Sequence, residues 1–482
     1  MEYESVIGLE VHVQLNTESK IFCGCSTKFG AEPNSQTCPI CLGLPGTLPV
    51  LNEEALKKGL LAGLALNCEI AEYSKFDRKN YFYPDLPKAY QISQLDKPVC
   101  KNGYIDIPHE NGTKRIGITR LHLEEDAGKL VHSEDSSDSS MNISLVDLNR
   151  GGTGLAEIVS EPDMRTADDA YNYLTKLKSI IKYIDVSDAN MEEGSLRCDV
   201  NISVREKGAS KFGERVEIKN LNSFKAVKAA IGYEFERQTS LIKSGEKELI
   251  VQETRLWNAD RQETYSMRSK EHAADYRYYP DFDLPPMIIT KEYIETLRAS
   301  LPELPDEKMN RFKNQFSLSD YDAEVLTSVK QLADYYEETV IKGANPKKAA
   351  NWISSELLGR LDDPDKIFEL KVKPSDIAEL LKLIDNNTIS GKIAKTVFKD
   401  MLETGDSPQK IIDEKGLVQV SDSSEIEKII DDVLIKNAQS VEDYKNGKEK
   451  ALGFLIGQIM KESKGKANPQ IVNELLIKKL NE

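Results

Sequence analysis

Apolar and polar residues alternate along the first strand that the sequence predicts, residues 8–15. One face of this strand is apolar throughout: Leu9, Val11, Val13 and Leu15. The other face is polar throughout: Glu10, His12 and Gln14. Because successive side chains of a strand point to opposite faces, a carboxylate and an imidazole lie together on one face. Such a pair suits a metal ion or proton transfer, and the simpler alternative is a half-buried strand whose polar side faces water.

Three further segments repeat this alternation. In residues 115–125, Arg120, His122 and Glu124 share one face while the leucines between them share the other. Residues 196–204 and 215–221 also have one polar face, and the turn between them predicts a β-hairpin. Several strands that each have one apolar and one charged face predict an antiparallel sheet with a polar working surface.

Helical periodicity surrounds these strands in the first part of the chain. Apolar residues recur three or four positions apart in three segments: 52–65, 168–183 and 224–242. Asn52 is the first residue of the first segment and is a suitable N-cap. A Gly-rich turn at 149–154 could approach phosphate with its N–H groups, but it has the spacing of neither a Walker loop nor a dinucleotide-binding fingerprint.

The character of the chain changes after Pro285 and Pro286. From about residue 294 the pattern is helical, and a second break lies at 405–408. We therefore predict an α+β fold, with a first domain at 1–293 built around the antiparallel sheet. Two helical domains follow, at 294–405 and 406–482.

Composition is typical of a folded, globular protein. Of the 482 residues, 30% are charged and 39% are hydrophobic. The formal net charge of −16 argues against indiscriminate nucleic-acid binding, because duplex affinity depends on neutralising phosphates. Lys-rich segments at 444–450 and 461–466 are a local exception and indicate either an RNA contact or a solvated helix end. We find no secretory signal and no apolar run of about 18 residues, and therefore expect a cytoplasmic protein with no membrane contact.

Two close cysteine pairs predict a structural zinc site. Cys23 and Cys25 form the first pair, and Cys38 and Cys41 form the second, with Gly and Pro neighbours typical of a zinc knuckle. Four thiolates fill a tetrahedron and leave no open position for chemistry. The remaining cysteines, at 68, 100 and 198, are typical of isolated core residues, which is also the alternative for all seven.

Residues 76–91 interleave aromatic and basic side chains on a stretch that contains two prolines. Such a pattern suits a stacked base with phosphates alongside, or equally a Tyr-rich loop that packs on its own domain. The acidic run Glu124, Glu125 and Asp126 has the hard oxygen ligands that Mg²⁺ prefers, although a solvated acidic turn is a common alternative.

The combined motifs resemble the B subunit of the aspartyl/glutamyl-tRNA amidotransferase over essentially the whole chain. The segments that carry this resemblance are 6–14, 76–94, 122–129, 159–163, 191–199, 217–223 and 274–278. Residues 440–447 and 450–455 resemble the tail domain of the same family. One departure is Gly154, where we expect a proline in this family.

The resemblance implies a function and an assembly. Residues 1–293 would be a catalytic cradle domain, and 406–482 would be a tail that contacts tRNA. The zinc knuckle within 1–293 is predicted from the cysteines themselves, because only part of the family has it. The chain would bind Glu-tRNA(Gln) or Asp-tRNA(Asn), phosphorylate the side-chain carboxylate with Mg²⁺ and ATP, and transfer ammonia to it. A cytoplasmic heterotrimer with an amidase (A) subunit, which releases ammonia from glutamine, and a small C subunit is implied as well.

The resemblance also assigns expected roles to residues. The expected magnesium ligands and catalytic residues are Glu10, His12, Glu124 and Glu125. Lys79 and Lys88 are expected to contact the phosphates of ATP, and Tyr81 and Tyr83 to stack on its base. An alternative for His12 is to accept a proton from attacking ammonia. Two other functions remain open at this point: a non-catalytic, zinc-containing tRNA-binding scaffold, and a magnesium nuclease.

Overall fold

The computed structural model describes residues 2–110, 112–132, 144–269, 275–361, 363–417, 423–445, 448, 450–463, 467 and 469–481. It divides into two compact units, Met1–Leu304 and Pro305–Glu482. The first unit combines sheets with helices, and the second is helical. The predicted α+β class is therefore confirmed, while the three domain ranges given above stay predictions.

The first unit contains strands of very different length. In chain order they are β1 (Tyr3–Gln14), β2 (Glu69–Ile70), β3 (Tyr73–Ser74), β4 (Asp77–Asn80), β5 (Tyr90–Ser93), β6 (Cys100–His109), β7 (Gly112–Glu125), β8 (Lys129–His132), β9 (Ser144–Asp147), β10 (Gly154–Ser160), β11 (Leu196–Glu206), β12 (Val216–Lys219), β13 (Glu253–Asn258), β14 (Glu263–Ser269), β15 (Tyr279–Pro280) and β16 (Met287–Ile288). The helices of this unit are α1 (Glu53–Ala65), α2 (Ala167–Tyr183), α3 (Phe224–Ser244) and α4 (Lys291–Ser300), with a 3-10 turn at Lys247–Leu249.

The main sheet places the first strand at its centre. Within the described residues it has nine strands in the order β14-β13-β12-β11-β1-β10-β7-β6-β2. Every pair is antiparallel except β12–β13. The predicted hairpin is confirmed as β11–β12. Leu9, Val11 and Val13 belong to one buried core with apolar residues of α1, α2 and α3, so the polar face of β1 is on the other side of the sheet.

The helices of this unit begin at side-chain caps. Asn52 accepts hydrogen bonds from the N–H groups of Glu54 and Ala55 at the start of α1, as predicted. Thr166 and Asp169 form a capping box at the start of α2, and Ser223 caps α3. These caps satisfy N–H groups that have no partner inside the helix, and the three helices lie within two residues of their predicted ranges.

A small sheet joins two distant parts of the chain next to the main sheet. Its strand order is β15-β4-β5, so residues 77–80 lie between 90–93 and 279–280. The Asn80 N–H also donates to the carbonyl of Tyr276. The aromatic and basic stretch 76–91 is therefore held against the segment that follows residue 274. Two further small sheets pair β16 with β3 and β8 with β9.

The second unit consists of helices around two separate apolar cores. The α-helices are α5 (Pro305–Phe316), α6 (Asp320–Thr327), α7 (Lys330–Ile341), α8 (Pro346–Trp352), α9 (Pro374–Asp385), α10 (Gly391–Thr404), α11 (Pro408–Lys415), α12 (Ser423–Lys436), α13 (Ala438–Lys445), α14 (Lys450–Glu462) and α15 (Pro469–Asn481). Short π and 3-10 turns at Ile353–Leu357, Leu358–Arg360 and Pro364–Glu369 follow α8.

One core of the second unit extends from Phe312 to Ile412, and the other from Ile426 to Leu480. Parts of the predicted Lys-rich contact, residues 446, 447, 449 and 464–466, lie outside the described residues. Among the helices that the structure describes in either unit, none combines the length and the apolar character that a bilayer crossing needs.

Candidate active site and metal centres

Strand register assembles a polar row across the centre of the main sheet. His12 on β1 pairs with Arg197 on β11 and with Glu157 on β10. Glu157 in turn pairs with His122 on β7. Directly opposite residues of neighbouring strands lie within about 5.5 Å of each other. Four side chains that are far apart in sequence therefore form one row on the face opposite the core.

The centre of this row is a compact group of two imidazoles and two carboxylates. The His12 Nε2 atom lies 3.3 Å from Glu157 Oε2 and 3.5 Å from Glu124 Oε1. His122 Nε2 lies 3.3 Å from the same Glu157 oxygen and 3.7 Å from Glu124 Oε2. We call these four residues the carboxylate–imidazole cluster. Each carboxylate contacts both imidazoles, so a positive charge on either imidazole is stabilised by both carboxylates.

The carboxylates control the protonation of the two histidines. Burial by itself would lower the pKa of His122, but Glu157 and Glu124 outweigh it and raise that pKa to about 9. The pKa of His12 is raised for the same reason. Burial opposes the charged form of Glu124 and Glu157 as well, and the neighbouring imidazoles nevertheless lower the pKa of both carboxyl groups. The cluster therefore favours ionised carboxylates beside cations.

The cluster lies in a cavity of about 450 Å³ above the polar face of the sheet. Three basic side chains, Lys79, Arg120 and Lys219, also line this cavity, together with Tyr276 and Tyr278. Arg120 lies 3.8 Å from Glu157, and Lys219 forms ion pairs with Asp199 and Glu217. A volume of this size, with positive groups around a centre that could hold a cation, has room for the polyphosphate part of a nucleotide.

The structure separates the four predicted metal ligands. His12 and Glu124 belong to the cluster. Glu10 lines the same cavity, but its Oε1 atom accepts a hydrogen bond of 2.9 Å from Asn201. Glu125 follows Glu124 on the strand and consequently points to the other face, where it accepts from the Lys88 ammonium at 2.5 Å and from the Ile92 N–H at 2.8 Å.

The residues expected to bind ATP are likewise divided. Lys79 lines the cavity, with its ammonium 5.0 Å from the ring centroid of Tyr276 and 5.8 Å from that of Tyr81. Tyr81 contacts Tyr276 edge to face. The side chain of Tyr83 is exposed. Lys88 does not line this cavity, because its ammonium is paired with Glu125 in a smaller one beside the cysteine loop.

The four early cysteines converge as predicted. One sulfur from each of Cys23, Cys25, Cys38 and Cys41 lies within 4.8 Å of the others. Cys41 accepts hydrogen bonds from the Cys38 N–H at 3.2 Å and from the Lys20 ammonium at 3.6 Å. A hydrogen bond from the Cys23 thiol lowers the pKa of Cys41 and thereby favours a thiolate there. Cys68, Cys100 and Cys198 are buried apart from this group.

Both groups have the donor atoms that a divalent cation requires. Four sulfurs at mutual distances below 4.8 Å fit the tetrahedron of zinc, with Zn–S bonds of about 2.3 Å. His12, Glu124 and Glu157 present ligand atoms within the same limit. Two carboxylates suit Mg²⁺, whereas an added imidazole is also acceptable to Mn²⁺ or Zn²⁺. The buried Nδ1 of His122 has no hydrogen-bond partner among the described residues.

Sequence reasoning missed Glu157 and did not give His122 a role. The sequence does indicate Glu157, because it is a charged residue inside an otherwise apolar segment. Its neighbours on β10 are Leu155, Ala156, Ile158 and Val159. A buried carboxylate needs a partner, which is a reason to expect a functional site. Tyr276 and Tyr278 lie within the segment 274–278 that carries the family resemblance, but their position depends on the pairing of β15 with β4.

The fold and the site define an α+β protein with a carboxylate–imidazole centre on one sheet face and a four-cysteine centre nearby in sequence. Residues 5–295 match the family model described as "GatB/GatE catalytic domain", and residues 334–480 match the one described as "GatB domain". Since the first match alone covers more than half of the chain, the chain belongs to the GatB/GatE family. The resemblance found in the sequence is thereby confirmed.

Similar proteins share one description: each is the B subunit of an aspartyl/glutamyl-tRNA(Asn/Gln) amidotransferase. The protein of Carboxydothermus hydrogenoformans is 58% identical over 480 residues, which are 99% of each chain. That of Caldanaerobacter subterraneus subsp. tengcongensis is 58% identical over 482 residues, and that of Geotalea daltonii is 59% identical over 481 residues. Both of these matches cover 100% of each chain.

Proposed function

We propose that this chain converts Glu-tRNA(Gln) to Gln-tRNA(Gln), Asp-tRNA(Asn) to Asn-tRNA(Asn), or both, with the hydrolysis of ATP. The observation that carries the proposal is the carboxylate–imidazole cluster inside a cavity of about 450 Å³ that also contains Lys79, Arg120 and Lys219. The descriptions of the relatives support the choice of substrate. A scaffold without catalysis would leave this charged cavity without a purpose.

The proposed reaction has two steps that balance. An oxygen of the side-chain carboxylate on the tRNA attacks the γ-phosphorus of ATP, and ADP leaves as the P–O bond to it breaks. Ammonia then attacks the carbonyl carbon of the acyl phosphate, phosphate leaves with the former carboxylate oxygen, and the nitrogen loses a proton. The sum is carboxylate, ATP and ammonia giving amide, ADP and phosphate.

The residues of the cavity have distinct proposed roles. His12, Glu124 and Glu157 would hold magnesium, which when bound offsets the negative charge of the ATP phosphates. Lys79 forms no ion pair with a described carboxylate, so its ammonium is available to a phosphate. Tyr81 and Tyr276 offer aromatic surface to the base, while the exposed Tyr83 does not line the cavity.

The remaining predicted residues flank this centre. Glu10 stays a candidate ligand, because it lines the cavity next to His12 on the same face of β1. Glu125 and Lys88 would act as an ion pair on the opposite side of β7. His12 is the alternative acceptor for the proton that ammonia loses, since its imidazole already lies beside two carboxylates.

We further propose that the chain works in a cytoplasmic heterotrimer. An amidase (A) subunit would release ammonia from glutamine, and a small C subunit would complete the complex. The word "subunit" in the descriptions of the relatives supports such an assembly. The helical tail at 406–482 would contact the misacylated tRNA, and the four-cysteine site would hold a structural zinc ion.

Glu157→Gln tests the site directly. The change keeps the shape of the side chain but removes the charge that lies between His12 and His122. We expect ATP-dependent amidation by the reconstituted complex to fall at least about 100-fold, with tRNA binding little changed. Glu125→Gln is expected to abolish amidation as well, because it leaves Lys88 without its buried partner.

Asp106→Asn is the matched control for this experiment. Asp106 lies on β6 of the same sheet and pairs with Arg115, where both side chains are exposed. Because exposed ion pairs contribute little, this variant should retain amidation. Normal turnover by Glu157→Gln would contradict the assignment of the cluster as the catalytic centre.

A further inference from the structure

Lys20 is the most deeply buried lysine of the described residues, with no exposed surface. Its ammonium donates to Cys41 Sγ at 3.6 Å and to the carbonyl of Leu148 at 3.2 Å. No carboxylate of the described residues forms an ion pair with it. A buried ammonium is costly unless an anion lies nearby, and the side chain that the structure places beside it is Cys41 of the four-cysteine site.

The other buried lysines of the described residues show the contrast. Lys308 forms ion pairs with Asp334 and Glu337. Lys58 donates to the carbonyl of Asp185 at 2.6 Å and has carboxylates of Glu54 and Asp185 at 4.0 Å. Lys20 is the exception among them, because a sulfur takes the place of the carboxylate.

The backbone around Lys20 is tied to the same site. The Lys20 N–H donates to the carbonyl of Cys25 at 2.9 Å, and the next N–H, that of Ile21, donates to Gly152 at 3.0 Å. Gly152 has a φ of +84°, and a Cβ there would lie 3.5 Å from both Cys41 and the Lys20 stem. Lys20 therefore lies between the cysteine loop and the Gly-rich turn. This position restricts its ammonium group to acceptors in or next to these two segments.

We propose that Lys20 is a positioning residue of the four-cysteine metal site. Its ammonium group donates a hydrogen bond to the Cys41 thiolate and offsets part of the negative charge that four thiolates leave around a divalent ion. The side chain thereby raises the affinity of the site for the metal. This proposal rests on the zinc site of the proposed function and adds to it a residue outside the four ligands.

Metal titration of the full-length chain tests the proposal. Lys20→Met removes both the charge and the donor, whereas Lys20→Gln keeps a donor without the charge. We expect the zinc affinity, measured by competition with a chromophoric chelator, to fall about 10- to 100-fold in Lys20→Met, as for other residues that support metal ligands. The loss in Lys20→Gln should be smaller.

Cobalt substitution supplies a readout that a purely structural role would not change. A hydrogen bond to a thiolate stabilises the sulfur lone pair, so its removal should move the thiolate-to-cobalt charge-transfer band of Lys20→Met to lower energy. Lys58→Met is the matched control, because that lysine is also buried and donates to a carbonyl, but not to a cysteine. Its zinc affinity and cobalt spectrum should match those of the wild type.

Three outcomes would overturn the proposal. In the first, Lys20→Met and Lys20→Gln bind zinc as tightly as the wild type and show an unchanged cobalt band. In the second, Lys58→Met loses affinity to the same extent, which would make the effect a general result of losing a buried lysine. In the third, the wild-type chain binds neither zinc nor cobalt. This result would also overturn the proposed zinc site. It would not overturn the proposed amidation reaction, because that is measured separately with misacylated tRNA.

Discussion

Glu157 shows how a single side chain can organise a site. It pairs with both His12 and His122 at 3.3 Å, and it is the only charged residue of β10. Desolvation of such a carboxylate is costly, so it persists only where cations compensate. The two imidazoles supply that compensation together with Arg120, which lies 3.8 Å from Glu157, and in the proposed function a bound cation would add to it.

A different buried carboxylate, Asp169, has a structural role that predicts the effect of pH. It accepts from the Lys114 ammonium at 2.7 Å and from the N–H groups of Arg165 and Thr166 at the start of α2. Burial opposes its charge, but these donors outweigh burial and lower its pKa below the ordinary value. Its stabilising effect is therefore present above the pKa of the unfolded chain and is lost as pH falls through the lower pKa of the folded chain.

Asp169→Asn should consequently destabilise the first unit by about 1–2 kcal/mol near neutral pH. Below about pH 4 the difference from wild type should shrink, because the wild-type carboxyl group also becomes protonated. Urea unfolding followed by the fluorescence of Trp257, in a chain that carries Trp352→Phe, measures both values. A difference that stays constant from neutral to acidic pH would contradict this role.

At the scale of elements, the pairing of β10 with its neighbours is irregular at Ser160. The register between β10 and β7 shifts between Val159 and Ser160. At that point the Ser160 hydroxyl, rather than a backbone carbonyl, accepts the Leu9 N–H at 2.9 Å. Such irregularities often re-aim side chains next to active sites, and this one begins two residues after Glu157.

Ser160→Ala should therefore destabilise the sheet. The buried Leu9 N–H loses its acceptor, which costs about 1–3 kcal/mol. Ser203→Ala is the matched control on β11, which pairs with the other edge of β1. Both serines are 6% exposed, and the Ser203 hydroxyl has no hydrogen bond to a described residue. Equal unfolding free energies for the two variants would contradict the role of Ser160.

The elements themselves were largely predictable, because period-two and helical patterns are local. The polar face of β1, the β11–β12 hairpin and the Asn52 cap followed from the spacing of residues. The order of the strands in the sheet could not be predicted in this way. Glu157 and His122 lie next to His12 because β10 pairs with both β1 and β7, and no local pattern specifies these pairings. By contrast, strand alternation does predict that Glu124 and Glu125 point to opposite faces. Grouping them as one acidic run overlooked this.

At the scale of the whole molecule, the two units have separate hydrophobic cores and one tryptophan each, Trp257 and Trp352. Phe398 is completely buried in the second unit and contacts Trp352 with a centroid distance of 5.8 Å. Because each core is built from residues of one unit, a cavity made in one should be sensed mainly by the tryptophan of that unit.

Phe398→Ala should lower the stability reported by Trp352 by about 3–5 kcal/mol. The transition reported by Trp257 should change little, as measured in chains with a single tryptophan. Tyr321→Ala is the control, because Tyr321 is an aromatic residue of the same unit whose side chain is exposed. A shift of equal size at both tryptophans would show that the two units unfold together.

Phosphorylation of the side-chain carboxylate before its amidation, as proposed here, predicts the path of one oxygen atom. In the reconstituted complex, glutamyl-tRNA labelled with a heavy oxygen isotope in its side-chain carboxylate is amidated with unlabelled ATP, and the released phosphate is examined by mass spectrometry. We expect one labelled oxygen in each phosphate, because the acyl C–O bond breaks when ammonia attacks. Phosphate without the label, formed together with the amide, would contradict it.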